Sequence, residues 1–457
     1  MLTLAIAFML VPLDDTPAWP GFLGANASKV DASSIPTEWS PTENIAWQRS
    51  VVGHGQSSPV IYGDHVFVTS CDGPKKETLY VYCVKLSDGS TVWEKSQQSS
   101  HPEGNSVYIS RSAPTPVVDA NHVFAYFESG DVYAYTHAGE LAWKMSLTEK
   151  FGQPMNVFGL SASPVQTEDH VIILIDDDKS RQGAGPPGAA DRTGDAKSYI
   201  VALKKTDGTV AWKTDRENRT SWSSPAIVPV DGEDVVVCSS AGSVDGYSPT
   251  DGKLLFSFTE LGGNSATTPM PVGNGEFLVA ASPGRGEGGE RADLAKKSNG
   301  LMKITKDGDS YSAKFVWANP KLSPSFGSPI VHNGYAYWLN RVGSVMCVDV
   351  TDGKLAYQDR IETAWATPIG LGDRVYFFAQ KKGLTSVLAS GPEFKVLAKN
   401  KLWNEEPADD SLKSAAAETG QRAAAASRFG GQTTYGAAAV SGSLIIRTGN
   451  MLYCIRG

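Results

Sequence analysis

The sequence predicts an all-β fold, an eight-bladed β-propeller of four-stranded antiparallel blades. Three observations carry this prediction. First, a seven-residue phrase recurs: Ser87–Trp93 (SDGSTVW), His137–Trp143 (HAGELAW), Thr206–Trp212 (TDGTVAW), Thr250–Phe256 (TDGKLLF) and Thr351–Tyr357 (TDGKLAY). Each places Gly third and an aromatic four residues later. Second, runs rich in Val, Ile, Tyr and Phe precede the phrases and read as strands. Third, a small residue before Pro, or a degraded form of that pair, opens each unit. These openings are SSPV at 57–60, APTPV at 113–117, SASPV at 161–165, SSPAIV at 223–228, TTPMPV at 267–272, GSPIV at 327–331, ATPIG at 366–370 and TYGAAAV at 434–440. Self-similarity at this period marks a ring or solenoid of repeated units.

The first unit shows the elements in order. Ser57–Gly63 leads to His65–Ser70, then Leu79–Leu86, then the phrase and Ser90–Ser96. That makes four short strands, with the DG pair supplying the tight turn between the third and fourth, since Gly tolerates positive φ. The last unit offers only three: Tyr435–Val440, Ser443–Thr448 and Met451–Gly457. The stretch Asn44–Val52 carries Trp47 in the setting of the fourth-strand aromatics. It is expected to complete the last blade, closing the ring without leaving a sheet edge. Residues 1–17 read as a signal peptide, 18–43 as an N-terminal extension and 44–457 as the propeller. A blade cannot bury both faces alone. Trp47, Trp93, Trp143, Trp212, Phe256, Trp317 and Tyr357 are therefore expected to dock each blade on its neighbour.

Composition agrees. Among 457 residues there are 46 Gly, 26 Pro, 11 Trp, 16 Tyr and 16 Phe, with only 20% charged, which favours a packed, turn-rich β protein over disorder. The net charge of −8, with no Lys/Arg cluster, argues against a nucleic-acid partner. The stretch MLTLAIAFMLVPLDD is too short to span a bilayer and suits a secretory h-region, although no Lys or Arg precedes it and no clear cleavage site follows. A periplasmic or secreted monomer without a transmembrane segment is expected. Cys83, Cys347 and Cys454 share one third-strand place, held by Ala202 and Gly246 in other blades. That place wants a small residue, and no disulfide is expected among positions so far apart.

Short turns should occupy one rim and long loops the other: 97–111, 176–198, 282–300 and 404–433. Residues just ahead of the first strands should ring the channel mouth on the long-loop rim. They are His54, Gln56, Arg111, Trp222, Phe326, Trp365 and Tyr435. An Arg among aromatics suits a planar or anionic ligand, or a peptide side chain. Asp176, Asp177 and Asp178 read as a solvated acidic turn, since their spacing is not that of a known calcium loop, with Ca²⁺ ligation as the alternative. In the Ala-rich stretch 408–431, Asp409, Asp410 or Ser411 is placed to cap a short helix, as a lid, a partner-binding hairpin or a linker. GRGEGG at 284–289 lacks the GK[ST] of a phosphate loop, and no helix start is expected after it. Glu287, Glu290, Arg291 and Asp293 read as solvated.

The (T/S)DGxxxW phrases, Ala18–Ser28 (AWPGFLGANAS) and the stretch Pro36–Ile61 resemble the quinoprotein-type propeller repeat family. The resemblance covers about residues 18–457. The family holds both PQQ-dependent alcohol dehydrogenases and the non-enzymatic BamB-like branch, so it implies fold more than activity. Its dehydrogenases carry adjacent cysteines, calcium ligands and a catalytic Asp; no Cys–Cys pair exists here and the other positions have no match. The expected function is an exported, non-catalytic scaffold. It would bind a protein or cell-envelope component on its long-loop rim, with no catalytic residue and no cofactor. The alternatives are a PQQ/Ca²⁺-dependent oxidoreductase acting on alcohols or sugars, and a polysaccharide-active enzyme, which needs paired carboxylates.

Overall fold

Each recurring phrase folds as a turn, a bulge and a docking residue. Its glycine turns the chain at positive φ: +72° at Gly89, +83° at Gly139, +72° at Gly208 and Gly252, and +69° at Gly353. The residue just before the aromatic is an extra one in the strand ladder: Val92, Ala142, Ala211, Leu255 and Ala356 each fall in a register shift. Such bulges twist a strand and re-aim the side chain that follows. Here that side chain is the aromatic, which turns toward the next blade.

The computed structural model describes residues 16–24, 30–154, 156, 158–177, 197–218, 221–263, 266–282, 289–324, 326–415, 420, 423 and 430–457. They form eight antiparallel sheets, the blades of a closed propeller. Blade 1 comprises Val60–Tyr62, His65–Asp72, Thr78–Lys85 and Thr91–Gln98, with Ala18–Trp19 paired on its first strand as a fifth. Blades 2 to 7 lie within 117–146, 165–215, 226–258, 270–318, 330–360 and 369–401. Blade 8 takes Gly436–Val440, Ser443–Arg447 and Met451–Ile455 from one end of the sequence and Ile45–Ser50 from the other. Trp47 there faces Cys454 across the ladder.

The core lies between blades rather than at the centre. Apolar clusters bridge successive pairs: Phe67, Trp93 and Tyr135 join blades 1 and 2, and Ile173, Val201 and Trp143 join blades 2 and 3. At each such junction the indole rests on the next blade's turn glycine. A Cβ at Gly252 would lie 2.3 Å from the Trp212 ring, at Gly208 2.5 Å from Trp143, and at Gly89 2.6 Å from Trp47. The indole N–H then donates to a carbonyl just ahead of that glycine: Trp47 to Leu86 (2.9 Å), Trp93 to His137 (2.8 Å), Trp143 to Lys205 (2.8 Å), Trp212 to Pro249 (3.0 Å) and Trp317 to Val350 (2.8 Å). The third-strand residue opposite the aromatic is small for the same reason in every blade that has one but the fifth, where Leu301 faces Trp317; a Cβ at Gly246 would lie 2.1 Å from Phe256. Cys83 and Cys347 hold that place opposite Trp93 and Tyr357, and all five cysteines are free and buried.

The small residue before each Pro does a second job near the axis. Its hydroxyl accepts the backbone N–H of its counterpart one blade earlier. The bonds run Ser58 to Thr115 (2.9 Å), Thr115 to Ser163 (3.0 Å), Ser163 to Ser224 (2.8 Å), Ser224 to Thr268 (3.0 Å), Thr268 to Ser328 (2.9 Å) and Ser328 to Thr367 (3.1 Å). Blade 8 has Gly436 in that place, where a Cβ would lie 1.9 Å from the Ser58 hydroxyl. The belt is open at that one blade.

The N-terminal extension is sewn onto blade 7. Trp39 is buried against Tyr376, its ring 6.4 Å away and nearly parallel. Arg374 donates to the carbonyls of Ala32 and Ile35 and to the Thr37 hydroxyl. Helix is sparse. Glu290–Lys297 begins directly after Gly289, which corrects the expectation that no helix follows GRGEGG; residues 283–288, with Glu287, lie outside the described residues. Glu290, Arg291 and Asp293 are exposed on that helix.

Two outcomes follow for stability. Trp212→Ala removes both the ring and its hydrogen bond, at a cost of about 3–5 kcal/mol in denaturant unfolding. Gly252→Ala, strained at positive φ and clashing with that ring, costs more than about 1 kcal/mol. The double variant costs less than the sum, with a coupling of about 0.5–3 kcal/mol, because removing the ring removes the clash. At the axis, Ser224→Ala leaves the Ser163 N–H unpaired and costs about 1–3 kcal/mol, while Ser224→Thr restores the bond.

Candidate functional site

The belt opens where blade 8 meets blade 1, and polar side chains fill that place. His54 lies ahead of blade 1, its backbone tied to Cys71 by N–H to carbonyl bonds of 2.9 and 3.0 Å. Two glycines make room for it and its neighbours. A Cβ at Gly449 would lie 2.3 Å from the His54 ring, and one at Gly55 2.2 Å from the Arg447 guanidinium. His54 is 1% exposed. Burial and the nearby Arg111 charge push its pKa down to about 4, against the opposing pull of Asp409. The ring is therefore neutral at neutral pH. Its Nδ1–H donates to Asp409 Oδ2 at 2.7 Å, and Nε2 accepts from the Tyr435 hydroxyl at 3.2 Å. Burial raises the Asp409 pKa, but hydrogen bonds from His54 and Ser411 and the charge of Arg111 hold it below its ordinary value.

Three more cations stand close by. Arg447, fully buried, donates to Ser57 Oγ (2.8 Å) and to the carbonyls of Thr448 and Gly449; burial pushes its pKa down to about 9. Lys381, from blade 7, donates to the Gly430 carbonyl and to Thr433 Oγ1 (2.8 Å). Burial lowers its pKa; Glu406 opposes that and Arg111 adds to it. Arg111, ahead of blade 2, is 1% exposed, and none of its three guanidinium nitrogens has a hydrogen-bond partner. Its backbone is fixed instead: its N–H donates to Gln56 Oε1 at 3.1 Å and its carbonyl accepts from Gln56 N at 3.1 Å. The next residue, Ser112, sits at φ +49° with its N–H on the Glu128 carboxylate at 3.0 Å; Glu128 also pairs with Lys76 at 3.2 Å.

The crossing from blade 7 to blade 8 covers this cluster. Asp409 precedes a 3₁₀ turn, Asp410–Ser414, but does not cap it through its side chain. Its carboxylate turns inward to His54 instead, which corrects the helix-cap reading. Gln432 is fully buried and bonds to Glu406, Pro407, Asn450 and Thr448, which ties the returning arm to the outgoing one and to blade 8.

The seven residues singled out from sequence thus divide into two sets. His54, Gln56, Arg111 and Tyr435 meet around the axis. Trp222, Phe326 and Trp365 stand on the rim as aromatic pairs. Trp222 lies 5.8 Å from Phe158 and donates to the Gly159 carbonyl, and Phe326 meets Trp365 edge-on at 5.3 Å with Arg341 5.0 Å above its ring. Sequence reasoning missed Arg447, Lys381, Phe158 and Arg341, and it gave Asp409 the wrong role. His54 and Asp409 are 355 positions apart, and no local pattern pairs them.

The acidic run is not a solvated turn. Asp176 and Asp177 are 3% and 1% exposed, and Asp178 lies outside the described residues. The Asp176 carboxylate accepts from Ser240 Oγ at 2.8 Å and sits 3.6 Å from Arg216, which also reaches Asp245 and Tyr247. The network ties blade 3 to blade 4, and a charge buried with its partner has no reason to be solvated. Among the described residues no three His, Cys, Asp or Glu side chains gather as a metal would need.

Eight blades, with a Trp-on-Gly interlock at five of their junctions, define a closed propeller of the quinoprotein-repeat class. The family profile described as outer membrane protein assembly factor BamB matches residues 37–178, 80–283 and 196–308, together more than half of the sequence, and the chain belongs to this PQQ-like propeller family. Compared with curated proteins, the sequence has no match. Among solved structures, BamB from Moraxella catarrhalis aligns with a TM-score of 0.56 at 10% identity, over 90% of this chain and 99% of that one. A quinohemoprotein alcohol dehydrogenase from Comamonas testosteroni aligns with a TM-score of 0.56 at 12% identity, over 96% of this chain and 80% of that one. At these identities the likeness concerns the fold.

The His54 pKa gives the site a pH signature. The unfolded ring takes its proton near 6.5 and the folded ring only near 4. Its contribution is complete above pH 6.5 and is lost as pH falls from there toward 4, amounting to about 3 kcal/mol. Melting temperature measured across that range should drop in the wild type and drop less in His54→Gln.

Proposed function

We propose that this propeller is a non-catalytic platform of the cell envelope that docks a protein partner on its long-loop rim. The observation that carries the reading is the set of aromatics uncovered there. Phe326 is 44% exposed beside Trp365 and Arg341, Val342 follows at 59%, and Phe158 is 39% exposed beside Trp222. Uncovered apolar groups with Trp and Arg among them are the usual anchors of protein interfaces. The short-turn rim differs in kind. Its groove of about 610 Å³ is lined by Glu168, Asp169, Glu233, Asp234, Lys253 and Lys306. The family's description as an outer membrane assembly factor supports an envelope location and a protein partner. No described helix is long and apolar enough to cross a membrane.

PQQ with Ca²⁺, which the resemblance raises, is the less favoured reading. The carboxylate there, Asp409, is engaged by His54 and Ser411, and no cation-binding set gathers among the described residues. A polysaccharide-cleaving pair of carboxylates is not favoured either, because Glu128 is committed to Lys76 and the Ser112 N–H.

The test has two arms. Cross-linking in envelope extract should yield a species that Phe326→Ser and Phe158→Ser each diminish and that Asp251→Ser, on the short-turn rim, leaves unchanged. Titration with PQQ and Ca²⁺, followed by dye-linked oxidation of alcohols and aldoses, should give no saturable binding. Binding with turnover would replace the scaffold reading with an oxidoreductase.

A further inference from the structure

We infer that the channel axis holds a binding site for a small oxyanion, a carboxylate or phosphate group, gripped by the guanidinium of Arg111. The argument begins with its isolation. The side chain is 1% exposed, and Nε, Nη1 and Nη2 are all without a hydrogen-bond partner. A buried charge left unpaired is costly, and proteins tolerate it chiefly where a ligand supplies the partner.

The neighbours do not supply one. Asp409 is engaged by His54 and Ser411. Glu128 is engaged by Lys76 and by the Ser112 N–H. The other cations at the centre are satisfied by neutral oxygens: Arg447 by Ser57, Thr448 and Gly449, and Lys381 by Gly430 and Thr433. Of these cations Arg111 alone is without a partner, in a place where positive charge is in excess.

Its location is that of a ligand site. Arg111 leads into blade 2, yet its charge acts on His54 ahead of blade 1, on Lys381 of blade 7 and on Asp409 of the crossing segment. Groups from separate blades feel one guanidinium only where they converge, at the axis. The hydroxyls of Ser112 and Thr69 are buried there without partners as well, both within one bond of Ser57. A planar fork of N–H donors matches an oxyanion that presents two oxygens. The side chains of Arg111, His54 and Asp409 are all buried, so the ligand is small. The site does not depend on rim docking; either can stand without the other.

The test is thermal melting of the full chain at constant ionic strength, with chloride replaced stepwise by sodium phosphate in one series and sodium acetate in another. The wild type should show a saturating rise in Tm with at least one anion. A response to phosphate alone assigns a phosphoryl group, and a response to acetate alone assigns a carboxylate. Arg111→Met should melt at or above the wild-type temperature in chloride, since it deletes an unpaired charge, and should not respond to either anion. Arg111→Lys, which keeps the charge but not the fork, should shift the midpoint to higher concentration. Arg341→Met on the rim should respond as the wild type does. A flat wild-type titration, or equal rises in wild type and Arg111→Met, would overturn the proposal.

Discussion

An indole lying on the turn glycine of the next blade is the contact from which the ring is built. The sheet of one blade is small and two-faced, and it gains most of its burial by pressing on its neighbour. The indole sets how close the blades come, because the glycine admits its face and nothing larger. The N–H bond to the adjacent carbonyl then sets the angle between blades. Distance and angle, repeated, close a circle of fixed size. Where the aromatic is missing, other groups serve: blade 7 has Ala398 in that place, and Trp39 of the N-terminal extension packs nearby against Tyr376.

Near the axis the hydroxyl belt imposes the same regularity by polar means. It ends at Gly436, and the site begins there. A guanidinium, Arg447, reaches Ser57 next to the last belt hydroxyl, and Asp409 of the crossing segment bonds to His54 there. The asymmetry that a ligand site requires thus comes from the one blade that lacks the repeated hydroxyl. The rim aromatics are asymmetric too, but through loops, which vary more freely than the belt.

Much of this was legible in the sequence. The blade count, the strand order and the closure by Asn44–Val52 follow from a repeat whose every part is local. Turn, bulge and aromatic fall within seven residues, so the phrase displays them together. The small residue opposite the aromatic was also visible, at Cys83, Ala202 and Gly246. The site was legible only in part. Position ahead of a first strand brought His54, Gln56, Arg111 and Tyr435 into view, because the fold fixes where such residues lie. Their partners were hidden. Asp409 lies in a loop whose composition suggested a helix start, and its true role depends on a histidine at the far end of the sequence. The buried state of Asp176 was hidden for a similar reason. Asp176, the first of three successive acids, looks solvated until Arg216, just past the blade's fourth strand, is seen beside it.

The way blade 8 is completed also orders the assembly of the chain in time. Among the propeller's four-stranded blades, Ile45–Ser50 is the first strand to be made and its partner Met451–Ile455 the last. Until Met451–Ile455 is made, Trp47 has its turn glycine, Gly89, but no sheet to belong to. Blades 1 to 7 can stack as they emerge, each on the one before, as local contacts allow. The result until the end is an open spiral with an unpaired strand at one tip and a growing edge at the other, both of the kind that invites pairing between molecules. Only the final five-residue strand turns that spiral into a ring. A chain that stalls before Met451 would keep seven blades and lose its closure, and it would expose two sticky ends instead of none.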